Sequence, residues 1–264
     1  MLHLPHDIER TVFQLAAGVH PANDVHSYLL VAPRVHDWIE GLMYRTVVLA
    51  SEARACLFVD SLRSRPVFAS VNVKSLCIRG MVQLATAVEV IQLCSGIVNL
   101  ALWILSEGDH DMLDHLLDAL NKLPLSRLSI HLSTVFRRTD MPFLPSISLF
   151  SKVTHLDLLE GWVLWGSPIG IHCLMQLTHI SLRLFTDRTA PALLQMILAD
   201  CIHLKVLVLR VTEEVGRVKK WLQEHDGLDD HHIVVTAKSS RDTWNCKTSD
   251  GMSLWQYGDY IAKC

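Results

Sequence analysis

The chain has 264 residues, a net charge of -3, half of its residues hydrophobic and a mean hydropathy of +0.27. So small a charge gives no reason to expect nucleic acid or an acidic membrane as a partner. Seven widely spaced Cys without a Cys-x-x-Cys pair argue against a disulfide frame. With no Asn-x-Ser/Thr sequon and no signal-peptide pattern, the expected location is cytoplasmic or nuclear.

From the N-terminus, Ile8, Val12, Leu15 and Ala16 form one helical stripe behind Leu4-Pro5. Asn23 is placed to cap a short second helix reaching about Val31. Pro33 suits the first turn of a third helix, with Val35, Trp38 and Leu42 on one face. Thr46-Val-Val-Leu49 then reads as a strand.

From residue 73 onward, six segments share the template apolar-x-x-apolar-x-apolar. Their central residues are Leu76, Leu100, Leu128, Leu156, Ile180 and Leu207, at spacings of 24, 28, 28, 24 and 27. Such a period signals stacked strand-containing units, and the alternation at the end of each template is that of a strand. Between the templates, 81–93, 109–123, 192–199 and 213–224 carry helical periodicity. By contrast, 134–152 and 160–175, with Pro142, Pro145 and Pro168, predict loops or short 3-10 turns. Long crossovers return each strand parallel to the last. Ile233-Val-Val235 is the expected final strand. After a polar stretch, Ser253-Leu-Trp-Gln256 predicts a capping box opening a closing helix, with Leu254, Tyr257 and Ile261 inward, at or across the open edge.

The stretches between Arg79 and Glu107 and from Gly161 to Leu182 are apolar enough to raise the question of a membrane span. Both are broken in phase with the repeat, by Cys94-Ser-Gly96 and by Gly166-Ser-Pro168, and read instead as buried core.

Leu4-Pro5-His-Asp-Ile8-Glu-Arg-Thr-Val12-Phe13 resembles the opening of an F-box, and Val31-Ala-Pro-Arg34-Val-His-Asp-Trp38-Ile39 with Leu42-Met-Tyr44-Arg45 resembles its later helices. With the Thr-His-Leu strands and the closing Leu254-Trp255…Tyr260-Ile261-Ala262, the whole chain is similar to the F-box-like, leucine-rich-repeat-like proteins of mushroom-forming fungi. The resemblance implies an α/β fold. Residues 1–46 would form an F-box-like helical module, 47–237 an irregular leucine-rich-repeat-like solenoid of seven or eight parallel strands, and 238–264 a polar tail and closing helix. It implies a non-catalytic substrate receptor of a ubiquitin ligase, holding a Skp-type adaptor through Leu4, Pro5, Ile8 and Val12 and a protein target through the repeats. The alternative is a stand-alone repeat scaffold whose N-terminal helices only cap it. A regular leucine-rich repeat carries Asn three residues after the last strand Leu. Here Met81, Leu105, Ser133, Gly161, Phe185 and Thr212 stand there, so other contacts must hold the turns.

If the template leucines face the core, the opposite face carries Cys77, Ala101, Ser129, Asp157, Ser181 and Val208 in one column. The next column holds Arg79, Trp103, His131, Leu159, Arg183 and Arg210. Of these, Arg79, Trp103, His131, Arg183 and Arg210 are the candidate partner-binding residues, since Arg and Trp dominate interface energetics. Fifteen His are present, yet no His-Glu-x-x-His, i,i+4 His pair or Cys-x-x-Cys. His155 and His179 should be neighbours about 4.8 Å apart on adjacent strands. Neither that pair nor His231-His232 near His225 is assigned a metal. No nucleophile elbow, phosphate loop or dinucleotide fingerprint occurs, so no enzyme activity or cofactor is expected.

Overall fold

The computed structural model describes residues 5–19, 22–104, 110–136, 143–161, 169–237, 239, 244 and 252–262. Three short helices, α1 (His6–Val19), α2 (Ala22–Tyr28) and α3 (Pro33–Met43), precede everything else. Pro33 occupies the first turn of α3 as its fixed φ allows. Val25, Val35 and Ile39 are buried against Phe13, Tyr28, Trp38 and Leu42, so the three helices carry a small core of their own.

Eight strands follow: β1 (Thr46–Leu49), β2 (Ser75–Arg79), β3 (Asn99–Trp103), β4 (Arg127–Ile130), β5 (His155–Gly161), β6 (His179–Arg183), β7 (Val206–Arg210) and β8 (Ile233–Thr236). They form one parallel sheet in sequence order, with the template residues in register: Leu76 with Leu100, Leu128, Leu156, Ile180 and Leu207. Those six side chains are 0 to 1% exposed, as a strand with one wholly buried face requires.

Covering that face are α4 (Glu52–Arg63), α5 (Pro66–Asn72), α6 (Leu84–Leu93), α7 (His110–Asn121), α8 (Pro191–Asp200) and α9 (Val215–Gln223). Between them they contribute Ala55, Val59, Leu62, Ile91, Leu116, Leu120, Leu194, Ile197, Val218 and Leu222 to one continuous core. Where proline and weak periodicity predict short turns, 3-10 segments lie at Leu144–Ser146, Ser148–Lys152 and Ile171–Cys173, with a further one just before at Leu132–Thr134; 137–142 and 162–168 of those stretches lie outside the described residues. The α4 and α5 helices add to the elements expected from the sequence; Ala55, Val59 and Leu62 stand at i, i+4 and i+7, and Pro66 opens α5.

One backbone device recurs before the strands. Two consecutive N–H groups donate to a single carbonyl of the preceding unit: Val98 and Asn99 to Lys74, Ser126 and Arg127 to Val98, Thr154 and His155 to Ser126, Thr178 and His179 to Thr154. The Thr154 and Thr178 hydroxyls add a third donor to the same oxygens, at 3.0 and 3.1 Å. This carbonyl staircase does the work of an asparagine ladder, and it explains why a hydroxyl residue recurs at that template position. Gly96 sits where a Cβ would come 1.8 Å from the Ser70 carbonyl, which accounts for the small-residue break before β3.

The closing helix, α10 (Leu254–Ile261), begins with the expected capping box: Gln256 N–H donates to Ser253 Oγ and Ser253 N–H to Gln256 Oε1. Its placement differs from expectation. It lies on the sheet face opposite the other array helices, packing Leu254 and Trp255 on Val206, Val208 and Val234. Leu254, Trp255 and Gly258 are buried and Tyr257 packs half-buried beside them, as expected of Leu254 and Tyr257, whereas Ile261 is 38% exposed. Close approach is the physical reason, since a Cβ on Gly258 would stand 2.9 Å from Val206 Cγ1. No described helix is long and apolar enough to cross a membrane.

Candidate functional site

Two surfaces carry the candidate residues. On α1, Glu9, Phe13 and Ala17 face the other N-terminal helices. Arg34 of α3 clamps Glu9 through Nε (3.0 Å) and Nη2 (2.7 Å), and Phe13 meets Tyr28 edge-on at 6.0 Å. The neighbouring stripe is left in solvent: Ile8, Val12 and Leu15 are 46, 53 and 65% exposed, and Pro5 is exposed before them. Leu4, the remaining candidate, lies outside the described residues. Leu30 and Val31, after α2, add further exposed apolar area to the same helical module. The apolar stripe is therefore not spent on closing the sheet. That junction is made instead by α3 and α5, where Arg65 grips Glu40 with two nitrogens at 2.6 and 2.7 Å while lying 4.0 Å over the Phe68 ring.

The second surface is the sheet face that carries the candidate partner-binding residues, and it is largely covered. Trp103 is 4% exposed beneath Trp244, with ring centroids 6.1 Å apart, and its indole N–H donates to Ser129 Oγ at 2.8 Å. Ser129 in turn donates to Asp157 Oδ2 at 2.6 Å. Arg210 is 8% exposed; it pairs with Asp157 Oδ1 at 3.0 Å and donates to Ser181 Oγ and to the Leu158 carbonyl. A polar chain thus crosses five strands, from Trp103 to Arg210, inside the protein.

Its position follows from an irregularity in β5. Asp157 pairs with Ser181, but the next matched pair is Gly161 with Arg183, so β5 holds two extra residues. The Leu158 carbonyl beside this bulge accepts the Arg210 guanidinium, and Leu159 does not align with Arg183. Arg79 and His131 are half-buried, so among the five candidates Arg183 alone is exposed, its guanidinium 4.8 Å over Phe185. Phe185 borders a groove of about 410 Å³ at the C-terminal ends of β6 and β7, shared with Thr186, Arg188, Thr212, Glu213 and Arg217. Thr186 donates to Glu213 through both its hydroxyl and its backbone N–H, holding that carboxyl below its usual range.

No family model and no curated protein matches the chain.

Beneath α10 lies the pair predicted from the repeat. His155 and His179 stack with ring centroids 4.0 Å apart and planes 6° from parallel, under the edge of Trp255. Each Nδ1 lies 2.8 Å from the preceding threonine hydroxyl, and His179 Nε2 lies 3.0 Å from Asp259 Oδ1. Burial, reinforced by the facing charges of His179 and Arg127, pushes His155 down to about 3 from an ordinary 6.5. Asp259 opposes this, and Lys205 adds to it. In the unfolded chain His155 takes up its proton as pH falls through about 6.5. In the folded chain it stays neutral down to about pH 3. Its contribution is thus intact above pH 6.5 and is lost progressively between pH 6.5 and 3. Urea unfolding across that window is expected to show falling stability, with a shallower decline in His155→Phe, which keeps a stacked ring and has no proton to bind. Parallel declines in the two proteins would contradict this assignment.

Two buried thiols, Cys94 and Cys201, are inert. Burial pushes the Cys94 thiol up to about 12 and, with Asp200 nearby, Cys201 to about 11, so neither offers a thiolate near neutral pH.

Proposed function

We propose that the chain is a non-catalytic protein-interaction protein, an F-box-type substrate receptor of a ubiquitin ligase. In this reading the N-terminal helices are an F-box-like module that docks a Skp-type adaptor. The strand and helix units are an irregular leucine-rich-repeat-like solenoid that holds a protein target. The observation that carries the proposal is the exposed stripe Pro5, Ile8, Val12 and Leu15 on a helix whose other side is already anchored. A helix so anchored presents apolar anchors at i, i+4 and i+7, as helix-in-groove recognition requires. On the repeat side, target contact narrows to Arg183 and the groove beside Arg217, because Trp103 and Arg210 are committed inside the protein. No catalytic role and no cofactor enter the proposal.

The double grip of Arg65 on Glu40 favours a second reading, in which the helices serve as a cap on a stand-alone scaffold. Replacing Ile8 and Val12 together by Asp separates the two. If the stripe is a docking surface, Ile8→Asp/Val12→Asp abolishes adaptor capture. Stability should change by only about 0.5 kcal/mol per site, because both side chains are in solvent. A loss of several kcal/mol would assign the stripe to the cap.

A further inference from the structure

The turn just before β8 gathers three metal-ligating side chains that the proposed function does not use. Asp230 Oδ1 lies 2.6 Å from His232 Nδ1 and 3.6 Å from His231 Nδ1. One ligand atom from each of the three residues falls within 4.8 Å of the other two, and the imidazole centroids are 3.9 Å apart.

The backbone fixes this arrangement without help from an ion. Ile233 N–H donates to the Asp230 carbonyl at 3.0 Å, closing the turn, and His232 N–H donates to Asp230 Oδ1 at 2.7 Å. The His232 carbonyl accepts the Leu207 N–H at 2.7 Å, which ties the turn to β7. Two ligands therefore come from a segment fastened to the sheet. The third, His231, swings in from solvent with its side chain 77% exposed.

Two imidazole nitrogens and one carboxylate oxygen are the donor set of zinc and its neighbours in the first transition row. Calcium and magnesium favour oxygen throughout. We propose that Asp230, His231 and His232 form a binding site for a zinc-class divalent cation, with the remaining coordination positions open to water. Ligand bonds near 2.0 Å set neighbouring donor atoms about 3.3 Å apart in a tetrahedral shell. The Asp230–His232 contact would widen by less than about 1 Å, and the Nδ1 proton of His232 would leave to solvent as that nitrogen takes the metal. In the sequence, His231-His232 stands near His225. The third ligand is Asp230, one residue upstream, and the Nδ1 of His225 is instead engaged with the Trp221 carbonyl.

The test is calorimetric titration of the full chain with zinc chloride, beside His231→Ala and Asp230→Asn. Because fifteen His and seven Cys supply background binding, the comparison of variants carries the result. The wild-type chain is expected to bind one more zinc ion than either variant, or to bind it at least about tenfold more tightly, with calcium failing to compete. Since the His231 side chain is largely in solvent, His231→Ala keeps the fold, which circular dichroism verifies. Identical isotherms for the wild-type chain and His231→Ala would overturn the assignment and leave the cluster as a hydrogen-bonded turn.

Discussion

Asp157→Leu is expected to destabilise the chain by about 3–5 kcal/mol in urea unfolding, the usual cost of removing one member of a buried ion pair. Asp157 is 2% exposed and Arg210 8%, so the guanidinium left behind has no water to replace its partner. The loss spreads along the chain of contacts. Ser129 is deprived of the acceptor it holds at 2.6 Å, and its hydroxyl also receives the Trp103 indole N–H. The double replacement Asp157→Leu/Arg210→Met should recover most of the deficit, because two well-packed apolar side chains avoid the desolvation that a buried pair must overcome. Equal losses in the single and double variants would mean that the two residues act separately, and the polar chain would then not be a unit.

The second large effect concerns the leucine column. Leu128→Ala, at the centre of the sheet and 1% exposed, should cost about 2–5 kcal/mol, since it removes a whole side chain from a site that cannot collapse. Val47 holds the same register position on β1, the N-terminal edge strand of the sheet, paired with Leu76, and it is only half-buried. Val47→Ala should cost about 1 kcal/mol on area grounds. A steep difference between the two, measured by denaturant unfolding, is the expected signature of one continuous core running through the strands. Equal costs would mean that β1 belongs to the core as fully as β4 does.

The strands were legible because their pattern is local. Two alternating apolar positions with a third three residues earlier specify a buried strand face, and regular spacing specifies that the strands stack in sequence order. The same logic correctly made neighbours of His155 and His179, and placed the 3-10 turns where proline breaks helical periodicity. What was not legible depends on events outside the period. The two extra residues in β5 cannot be seen from the repeat of Leu156 and Ile180, yet they misalign Leu159 with Arg183 and open the place that Arg210 fills. Alternation assigns a side chain to a face and says nothing of what covers that face, so the burial of the outward columns is not visible in the pattern. Trp244 and α10, far along the chain, do the covering. One signal could have warned of this: Asp157 is the lone carboxylate in a column of small residues, level with serines on both sides and within reach of an arginine two strands away. On α1 the stripe was legible from spacing, but whether it faced solvent or the array depended on Arg34 and Phe13 anchoring the adjacent side.

In the proposed reading the stripe Pro5, Ile8, Val12 and Leu15 docks an adaptor. The most direct measurement is size-exclusion chromatography with light scattering on the full chain mixed with a Skp-type adaptor. A single one-to-one complex is expected, and it is absent when Ile8 and Val12 are both replaced by Asp. A folded wild-type chain that elutes apart from the adaptor would contradict it, and would leave the N-terminal helices as a cap on a scaffold.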